Sequence, residues 1–309
     1  MTERPDLLTN PRSDRVRMVK RLSGRSARLR HGQFLVEGPQ GVREAVLHAP
    51  DRVRDLYLST DAAERYPEIL AAARSAVRHT HLATAEVLAA MSGDAQGVLA
   101  VVHAEPAVLP AAAPRLVAVL PWAADPGNLG TIVRAADAAG ADAVVLGPGS
   151  VEPHNPKVVR STAGSLFHLP VVLVEDLAGT VASLREQGVQ VLAAAADGEW
   201  DLDQLADHAL LATLPPRADS TVTADSTLTA DSTVSADSTV TADSTVIAVP
   251  DLRRPTAWLF GNEAHGLRDE ERDLADAVVA VPIHGLAESL NVATAATLCL
   301  YASARAQRR

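Results

Sequence analysis

The chain has 309 residues, of which 47% are hydrophobic and only 3% aromatic, and its formal net charge is −10 at pH 7. This length leaves room for two domains that each bury a core. No apolar run approaches the roughly 18–20 residues that a membrane-spanning helix needs, and residues 1–12 hold no apolar segment typical of a secretory signal. Because Cys299 is the one cysteine, no internal disulfide can form, and we expect a cytoplasmic protein.

Positive charge is concentrated at the beginning of the chain. Residues 1–31 hold nine Lys or Arg against three Asp or Glu, so the remainder is strongly acidic. A basic arm on an acidic body is typical of proteins that bind nucleic acid. A solvated helix face would produce the same run of charge, and the arm taken alone does not decide between the two. The scarcity of aromatic residues argues against a stacking platform for bases.

The first hundred residues alternate between predicted helices and strands. Residues 12–22 indicate a basic helix with Val16, Val19 and Leu22 on one side, and a loop at 23–26 leads into an arginine-rich stretch. Strands are predicted at 33–37, 53–58, 79–83 and 97–103, and helices at 40–48, 62–77 and 84–91. This alternation predicts a small α/β domain over residues 1–103. The proline-rich and alanine-rich residues 104–114 indicate a linker.

The same alternation resumes at residue 115 and continues to residue 309. Strands are predicted near 116–121, 143–146, 166–172, 189–195, 257–260 and 277–281. Helices are predicted at 128–139, 156–162, 176–187, 269–275 and 289–305. Strands that alternate with helices favour a mostly parallel sheet covered by helices on both faces. Residues 115–309 are therefore predicted to form a second, larger domain.

One repetitive segment interrupts this alternation. Residues 218–247 contain five copies of a hexad that begins Ala-Asp-Ser-Thr. One apolar residue in every six mimics β-solenoid spacing, but a coil needs about three hexads, so five would build fewer than two turns. Since so few apolar side chains cannot offset the chain entropy, we expect a disordered insert at 215–250 without a catalytic role.

Three polar loops follow predicted strands, at residues 128–134, 260–267 and 289–291. Each places Asn, Ser, Glu or Arg beside a glycine or a helix start. Because the carboxyl ends of parallel strands meet at one edge of a sheet, we expect the loops to build one pocket. Taken singly, Asn128 and Ser289 have the ordinary interpretation of helix caps, and Arg134 that of a surface arginine.

Together and in this order, the three loops resemble the motifs of the SpoU (TrmH) family of RNA ribose methyltransferases. Residues 155–164, with the sequence Asn-Pro-Lys-Val-Val-Arg-Ser-Thr-Ala-Gly, are also similar to the family. Residues 12–103 resemble the ribosomal-protein-like substrate-binding domain that precedes the catalytic domain of many members. The resemblance covers most of the chain outside the hexad insert.

The resemblance implies a SPOUT fold, in which the C-terminal segment threads through a loop and forms a trefoil knot. It also implies a homodimer and S-adenosylmethionine bound in the knot, with no metal, because a sulfonium is already a good leaving group. By motif position, the residues that line the cofactor site would be Gly261, Val281, Ile283 and Leu290. The catalytic group would comprise Asn128, Arg134, Glu263, Ser289 and Asn291.

The implied reaction is methyl transfer to a ribose 2′-hydroxyl of RNA, and the N-terminal domain favours 23S ribosomal RNA by family analogy. The phosphates would be bound by Arg12, Arg15, Arg17, Lys20, Arg21, Arg25, Arg28 and Arg30. Three alternatives stay open: methylation of tRNA, methylation that protects ribosomes from an antibiotic, and a non-catalytic RNA-binding dimer that retains the knot. The intact set of motif residues argues against the non-catalytic dimer.

Overall fold

The computed structural model describes residues 7–213, 249–262 and 265–308. Residues 214–248, which hold the hexad repeats, and Glu263 therefore lie outside the described residues, and the expectations for both stay predictions. Within the described part, the chain forms a four-stranded and a seven-stranded sheet. None of the described helices is long and apolar enough to cross a membrane.

The four-stranded sheet contains all four strands that the sequence predicts for the N-terminal region. They are β1 (Gln33–Glu37), β2 (Val53–Ser59), β3 (His79–Ala83) and β4 (Val98–His103), in the spatial order β1-β4-β2-β3. The helices around them are α1 (Asp14–Arg21), α2 (Arg25–His31), α3 (Pro39–His48), α4 (Thr60–Arg65), α5 (Pro67–Ala76) and α6 (Ala85–Met91). The arginine-rich stretch, for which no element was predicted, is thus the helix α2.

The basic helix α1 is anchored by its apolar side. Ser13 caps the helix by accepting a hydrogen bond from the backbone N–H of Val16, while Val16, Val19 and Leu22 are buried against a core that includes Tyr57. Burying each such side chain contributes roughly 1.5–3 kcal/mol, which holds a helix that would be too short to persist alone. The charged side of α1 is left in solvent.

The seven-stranded sheet is entirely parallel within the described residues. Its strands are β5 (Leu116–Leu120), β6 (Ala143–Leu146), β7 (Val171–Leu173), β8 (Gln190–Ala194), β9 (Trp200–Asp201), β10 (Thr256–Phe260) and β11 (Ala277–Ala280), in the order β7-β6-β5-β10-β8-β11-β9. The helices are α7 (Pro126–Ala139), α8 (Pro156–Ser161), α9 (Leu177–Glu186), α10 (Leu202–Leu211), α11 (Asp269–Arg272) and α12 (Val292–Gln307). Helices α7, α10 and α12 cover one face of the sheet and α9 covers the other, so the predicted two-sided α/β architecture is confirmed.

Several predicted boundaries are wrong. The strand predicted at 166–172 is only Val171–Leu173, because Ser165–Phe167 form a 3-10 turn and Phe167 packs against the core of the four-stranded sheet. The helix predicted from residue 289 begins at Val292, since the side chain of Asn291 caps it. The helix predicted at 269–275 ends at Arg272, and β9 and α10 were not predicted.

Residues 152–168 connect the two sheets. The guanidinium of Arg28, which is only 4% exposed, donates two hydrogen bonds to the carboxylate of Glu152, at 3.1 and 2.8 Å. Two of its remaining hydrogen bonds go to the backbone carbonyls of Leu22 and Ser23. The ring of His154 stacks on that of Phe34, with 4.3 Å between their centroids. The basic helices are therefore attached directly to the seven-stranded sheet.

A second link between the sheets is the side chain of His168. Its Nδ1 lies 2.7 Å from Asp137 Oδ2 in α7, and its Nε2 lies 3.2 Å from Glu44 Oε2 in α3. Burial lowers the pKa of His168, but the hydrogen bonds and negative charges of Asp137 and Glu44 raise it by more, to a value above the usual 6.5. The protonated form of His168 therefore holds the two sheets together.

We expect Glu152→Gln to destabilise the protein, because it leaves the buried charge of Arg28 without its counter-ion. Breaking a buried pair in this way costs on the order of 3 kcal/mol, measured as the loss in free energy of unfolding by urea denaturation. The matched control is Arg25→Ala, which removes an exposed arginine of the same helix and should change stability by less than about 0.5 kcal/mol. Equal losses in the two variants would contradict the role of the pair.

We expect the stability that His168 contributes to depend on pH. A pKa that is raised in the folded state gives stabilisation that is complete below about 6.5 and is lost as the pH rises through the folded-state value. The difference in unfolding free energy between the wild type and His168→Gln should therefore shrink from pH 5.5 to pH 8.5. Asp137→Asn should flatten this dependence, and a difference that grows with pH would refute the assignment.

Candidate active site

The three polar segments meet at one edge of the seven-stranded sheet, and the first of them, residues 128–134, lies within α7 and is not a loop. They follow β5, β10 and β11, and because every strand is parallel, the carboxyl ends of these strands lie on the same side. Strand β10 is paired with both β5 and β8, so its loop stands between the other two. A crevice outside the carboxyl ends of parallel strands is where open α/β folds bind ligands.

A cavity of about 340 Å³ is lined by the segments that follow β8, β10 and β11. All four residues predicted to bind the cofactor line it, together with two of the predicted catalytic residues: Gly261, Val281, Ile283, Leu290, Ser289 and Asn291. The rest of the wall is mainly apolar and includes Phe260 and residues 194–196. Its volume falls within the roughly 300–1,000 Å³ of small-molecule pockets.

Gly261 determines the shape of the loop that follows β10. A Cβ atom at this position would lie 2.4 Å from the carbonyl carbon of Gly266 and 2.5 Å from the backbone nitrogen of Leu267, so only glycine fits. The chain returns on itself here, with hydrogen bonds of 3.0 and 2.8 Å between the backbones of Asn262 and Gly266. This wall of the cavity therefore consists largely of backbone.

A direct hydrogen bond joins the first loop to the third. Asp125, and not Asn128, caps α7, because its carboxylate accepts from the backbone N–H of Asn128 at 2.8 Å. Asn291 caps α12 through its Oδ1, which accepts from the N–H of Ala293 at 2.9 Å. Since Oδ1 must be the acceptor, Nδ2 is free to donate, and it reaches Asn128 Oδ1 at 3.1 Å.

The other predicted catalytic residues are placed differently. Ser289 is exposed at the cavity wall. Arg134 is exposed on the side of α7 opposite to its buried residues, such as Ile132 and Val133, and it is not part of the wall of the 340 Å³ cavity. Among the described residues Arg134 forms no ion pair, so its guanidinium is available to an anion or to a partner chain.

The basic arm exposes most of its charged side chains to solvent, but one of the predicted phosphate-binding residues is buried. Seven of the eight predicted phosphate-binding residues are exposed: Arg12, Arg15, Arg17, Lys20, Arg21, Arg25 and Arg30. Arg28 does not fit the prediction, because it is buried and its donors are occupied by Glu152 and two backbone carbonyls. Sequence could not distinguish it from its neighbours, since the carboxylate that binds it comes from a loop more than 120 residues away.

One further side chain at this edge was not singled out from the sequence. Trp122 lies two residues after the end of β5, is 45% exposed, and lines a second cavity of about 450 Å³ beside the loop after β10. The sequence feature that could have identified Trp122 is its position, since it directly follows the strand predicted at 116–121 and comes shortly before the first loop.

Comparison with known proteins defines the class of this fold and site. Residues 115–301 match the model of the SpoU rRNA Methylase family. Residues 35–107 match a second model, described as RNA 2′-O ribose methyltransferase substrate binding. Because the first match spans more than half of the chain, the protein belongs to the SpoU rRNA methylase family. The resemblance noted in the sequence is thus confirmed.

Relatives align along nearly the whole length of the chain. The 23S rRNA (guanosine(2553)-2′-O)-methyltransferase RlmP of Bacillus subtilis is 29% identical over 294 residues, which are 95% of this chain and 97% of the relative. The 23S rRNA (guanosine-2′-O-)-methyltransferase RlmB of Bordetella pertussis is 27% identical and covers 88% of this chain and 96% of its own.

Solved structures share the fold as well. The crystal structure of the SpoU methyltransferase AviRb from Streptomyces viridochromogenes, in complex with the cofactor AdoMet, superposes with a TM-score of 0.71 at 28% identity. It covers 96% of this chain and 99% of its own. The predicted SPOUT class of fold is therefore confirmed, while the trefoil knot itself stays a prediction.

We expect Asn291→Asp to retain stability and to lose activity. The carboxylate still caps α12, but it has no donor for Asn128 and places a negative charge against that carbonyl. Asn291→Ala should lose activity and also about 1 kcal/mol of stability with the cap. Thermal unfolding and methyl transfer to rRNA are measured in parallel. The control is Asp201→Asn, a related exchange at the N-cap of α10, which should be neutral. Full activity in Asn291→Asp would rule out the contact as part of the site.

Proposed function

We propose that the protein transfers the methyl group of S-adenosylmethionine to a ribose 2′-hydroxyl of 23S ribosomal RNA. The observation that carries this proposal is the 340 Å³ cavity lined by the second and third motif loops, to which the first is joined by the hydrogen bond between Asn128 and Asn291. The family membership and the names of the relatives supply the reaction and the class of RNA.

The relatives share the ribose chemistry and differ in the base. RlmP and RlmB are named for guanosine. A 23S rRNA (uridine(2479)-2′-O)-methyltransferase of Streptomyces viridochromogenes, 31% identical over 183 residues, is named for uridine. That relative aligns with 58% of this chain and 49% of its own length. The proposal therefore specifies ribosomal RNA and the 2′-hydroxyl, and leaves the target base to experiment.

The residues of the cavity fit S-adenosylmethionine. The backbone at Gly261, Val281, Ile283 and Leu290 offers N–H and C=O groups to the polar ends of the cofactor, and the apolar wall at Phe260 suits its uncharged parts. When bound, the cofactor supplies an activated methyl group on a sulfonium. We propose that Ser289 helps to position it, since the hydroxyl of this residue lies at the wall of the same cavity.

The chemical difficulty lies with the acceptor, because a ribose hydroxyl is weakly acidic and must lose a proton as it attacks. A guanidinium is not deprotonated in proteins, since its pKa exceeds about 12, so we do not assign this proton to Arg134. We propose instead that Arg134 binds the phosphate next to the target and stabilises the developing negative charge, with the phosphate or a water accepting the proton. Asn128 and Asn291 orient the ribose.

We further propose a division into an RNA-binding domain at 1–103, a linker at 104–114 and a catalytic domain at 115–309, acting as a homodimer in the cytoplasm. Support for a dimer comes from α12, where Leu298 and Tyr301 expose 44% and 49% of their surfaces on the same side of the helix. Arg134 lies on the neighbouring helix α7, is exposed and is absent from the wall of its own cavity, and we propose that in the dimer it contacts RNA held by either protomer. Glu263 is expected to order its loop or to contact the partner.

The proposed reaction is tested with methyl-labelled S-adenosylmethionine and unmodified transcripts of 23S rRNA and tRNA. A 2′-O-methyl group blocks alkaline cleavage at its own linkage, so the label should appear in one alkali-resistant dinucleotide from rRNA. Label in tRNA alone would replace the rRNA proposal with the tRNA alternative. Binding of RNA without binding of the cofactor would favour the non-catalytic dimer.

We expect Arg134→Ala to lower kcat by about 100-fold or more, the usual cost of losing a group that stabilises transition-state charge. The affinity for S-adenosylmethionine, measured by calorimetry, should stay within about twofold, because Arg134 is not part of the cofactor cavity. The control is Arg74→Ala, which removes an exposed arginine of α5 and should be neutral. Equal loss of kcat and cofactor affinity in Arg134→Ala would show that the residue supports the fold.

A further inference from the structure

Trp122 is a large aromatic side chain that is exposed yet held in place. Its ring is 45% exposed, while its indole Nε1 donates a hydrogen bond of 3.1 Å to the carbonyl of Gly149 in the loop after β6. A tryptophan fixed by its polar end presents its apolar face without further ordering. The other two tryptophans differ, since Trp258 is fully buried and Trp200 is half-buried.

The backbone around Trp122 is rigid. A Cβ atom at Gly147 would lie 2.2 Å from the carbonyl oxygen of Pro121, so glycine allows the loop after β6 to lie directly against the residue that precedes Trp122. Pro121 and Pro148 line the 450 Å³ cavity beside the indole, together with the loop after β10 and with Arg268 and Glu271, and the fixed φ angles of the two prolines limit movement of both segments. We define these surroundings of Trp122 as the tryptophan pocket.

The tryptophan pocket adjoins the parts of the site where transfer takes place. It shares Gly261, Asn262 and Gly266 with the cofactor cavity, of which they form a common wall. A small cavity beneath it is lined by Trp122, Asn128 and Gly261 together. Trp122 and Asn128 therefore lie close enough for one nucleotide to contact both.

The tryptophan pocket is also connected to the basic arm. Gly149, which accepts the hydrogen bond from Trp122, lies three residues before Glu152, which binds Arg28 of α2. One short loop thus holds both the tryptophan and the arginine-rich helix. An RNA strand whose phosphates contact the exposed arginines of α1 and α2 approaches the site from this side.

We propose that Trp122 is the stacking platform for the base of the nucleotide whose ribose is methylated. The inference rests on the proposed function, because it takes RNA as the substrate. Proteins recognise unpaired RNA bases by stacking them on aromatic side chains, and such stacking tolerates any base because each has a π-face. With the base on Trp122, the ribose lies near Asn128 and the cofactor cavity. A single well-placed tryptophan thus supplies the stacking that the low aromatic content argued against.

The test compares Trp122→Ala and Trp122→Phe with the wild type, using the full chain and an unmodified 23S rRNA transcript. Loss of stacking in the Ala variant should lower kcat/KM for the RNA by roughly 5- to 150-fold, while the Phe variant keeps most of it because its ring still stacks. Affinity for S-adenosylmethionine should be unchanged in both. Leu173→Ala, which removes a side chain 53% exposed on the edge strand β7, is the control and should match the wild type.

Tryptophan fluorescence gives a second readout that does not need turnover. The rRNA transcript should quench the emission of the wild type, and this quenching should be lost in Trp122→Phe although the variant still binds RNA in a filter assay. Wild-type kcat/KM in Trp122→Ala would overturn the proposal, as would undiminished quenching in Trp122→Phe. A parallel loss of cofactor affinity in both variants would overturn it as well, by assigning the pocket to the cofactor or the fold. If rRNA quenches the fluorescence of the wild type but no methyl group is transferred, the proposed function is wrong, while Trp122 is still a site where RNA binds.

Discussion

The position of β10 in the middle of the seven-stranded sheet is the constraint on which the site depends. Pairing with β5 on one side and β8 on the other fixes both edges of this strand, and its side chains Trp258 and Phe260 are buried. The loop that leaves β10 must therefore emerge between the loops after β5 and β11. Gly261 then lets the chain return on itself at once, so that backbone atoms form one wall of the 340 Å³ cavity.

The parallel sheet also brings together residues that lie far apart in the sequence. Asn128 lies in the first turn of α7 and Asn291 caps α12. The two residues are 163 positions apart, yet one hydrogen bond joins them because both helices cover the same face of the sheet. Asn291 performs two tasks with its two polar atoms, since Oδ1 caps α12 and Nδ2 holds Asn128. The stability of the helix and the geometry of the site are thereby coupled.

The N-terminal four-stranded sheet and its helices carry the basic residues and are also fixed in position against the large sheet. The buried pair of Arg28 and Glu152 and the bridge of His168 attach the basic helices and α3 to the large sheet at two separate points. RNA that binds the exposed arginines of α1 and α2, as proposed, would then be held at a fixed distance from the loops. The loop that carries Glu152 also carries Gly149, the partner of Trp122, so recognition of phosphates and of a base would share one support.

Much of the fold could be predicted from the sequence, because the signals are local. Apolar runs of four to seven residues indicated the strands of both sheets except the two-residue β9, and glycine and asparagine after strands indicated the loops of the site. Features that depend on partners far along the chain could not be predicted. Arg28 has the same local sequence context as Arg25 and Arg30 but meets a carboxylate 124 residues away. Phe167 was predicted to lie in a strand, but it packs against the core of the four-stranded sheet instead.

The central claim is that the backbone cavity at the end of β10 binds S-adenosylmethionine, and calorimetric titration of the cofactor into wild type and Gly261→Ala tests it most directly. A methyl group at this position collides with the backbone of Gly266 and Leu267, so the loop must shift while the buried sheet stays folded. We predict binding at one site per chain in the wild type and loss of about tenfold or more in affinity in the variant, with the cooperative unfolding transition retained. Wild-type affinity in a folded Gly261→Ala protein would contradict the account and place the cofactor elsewhere.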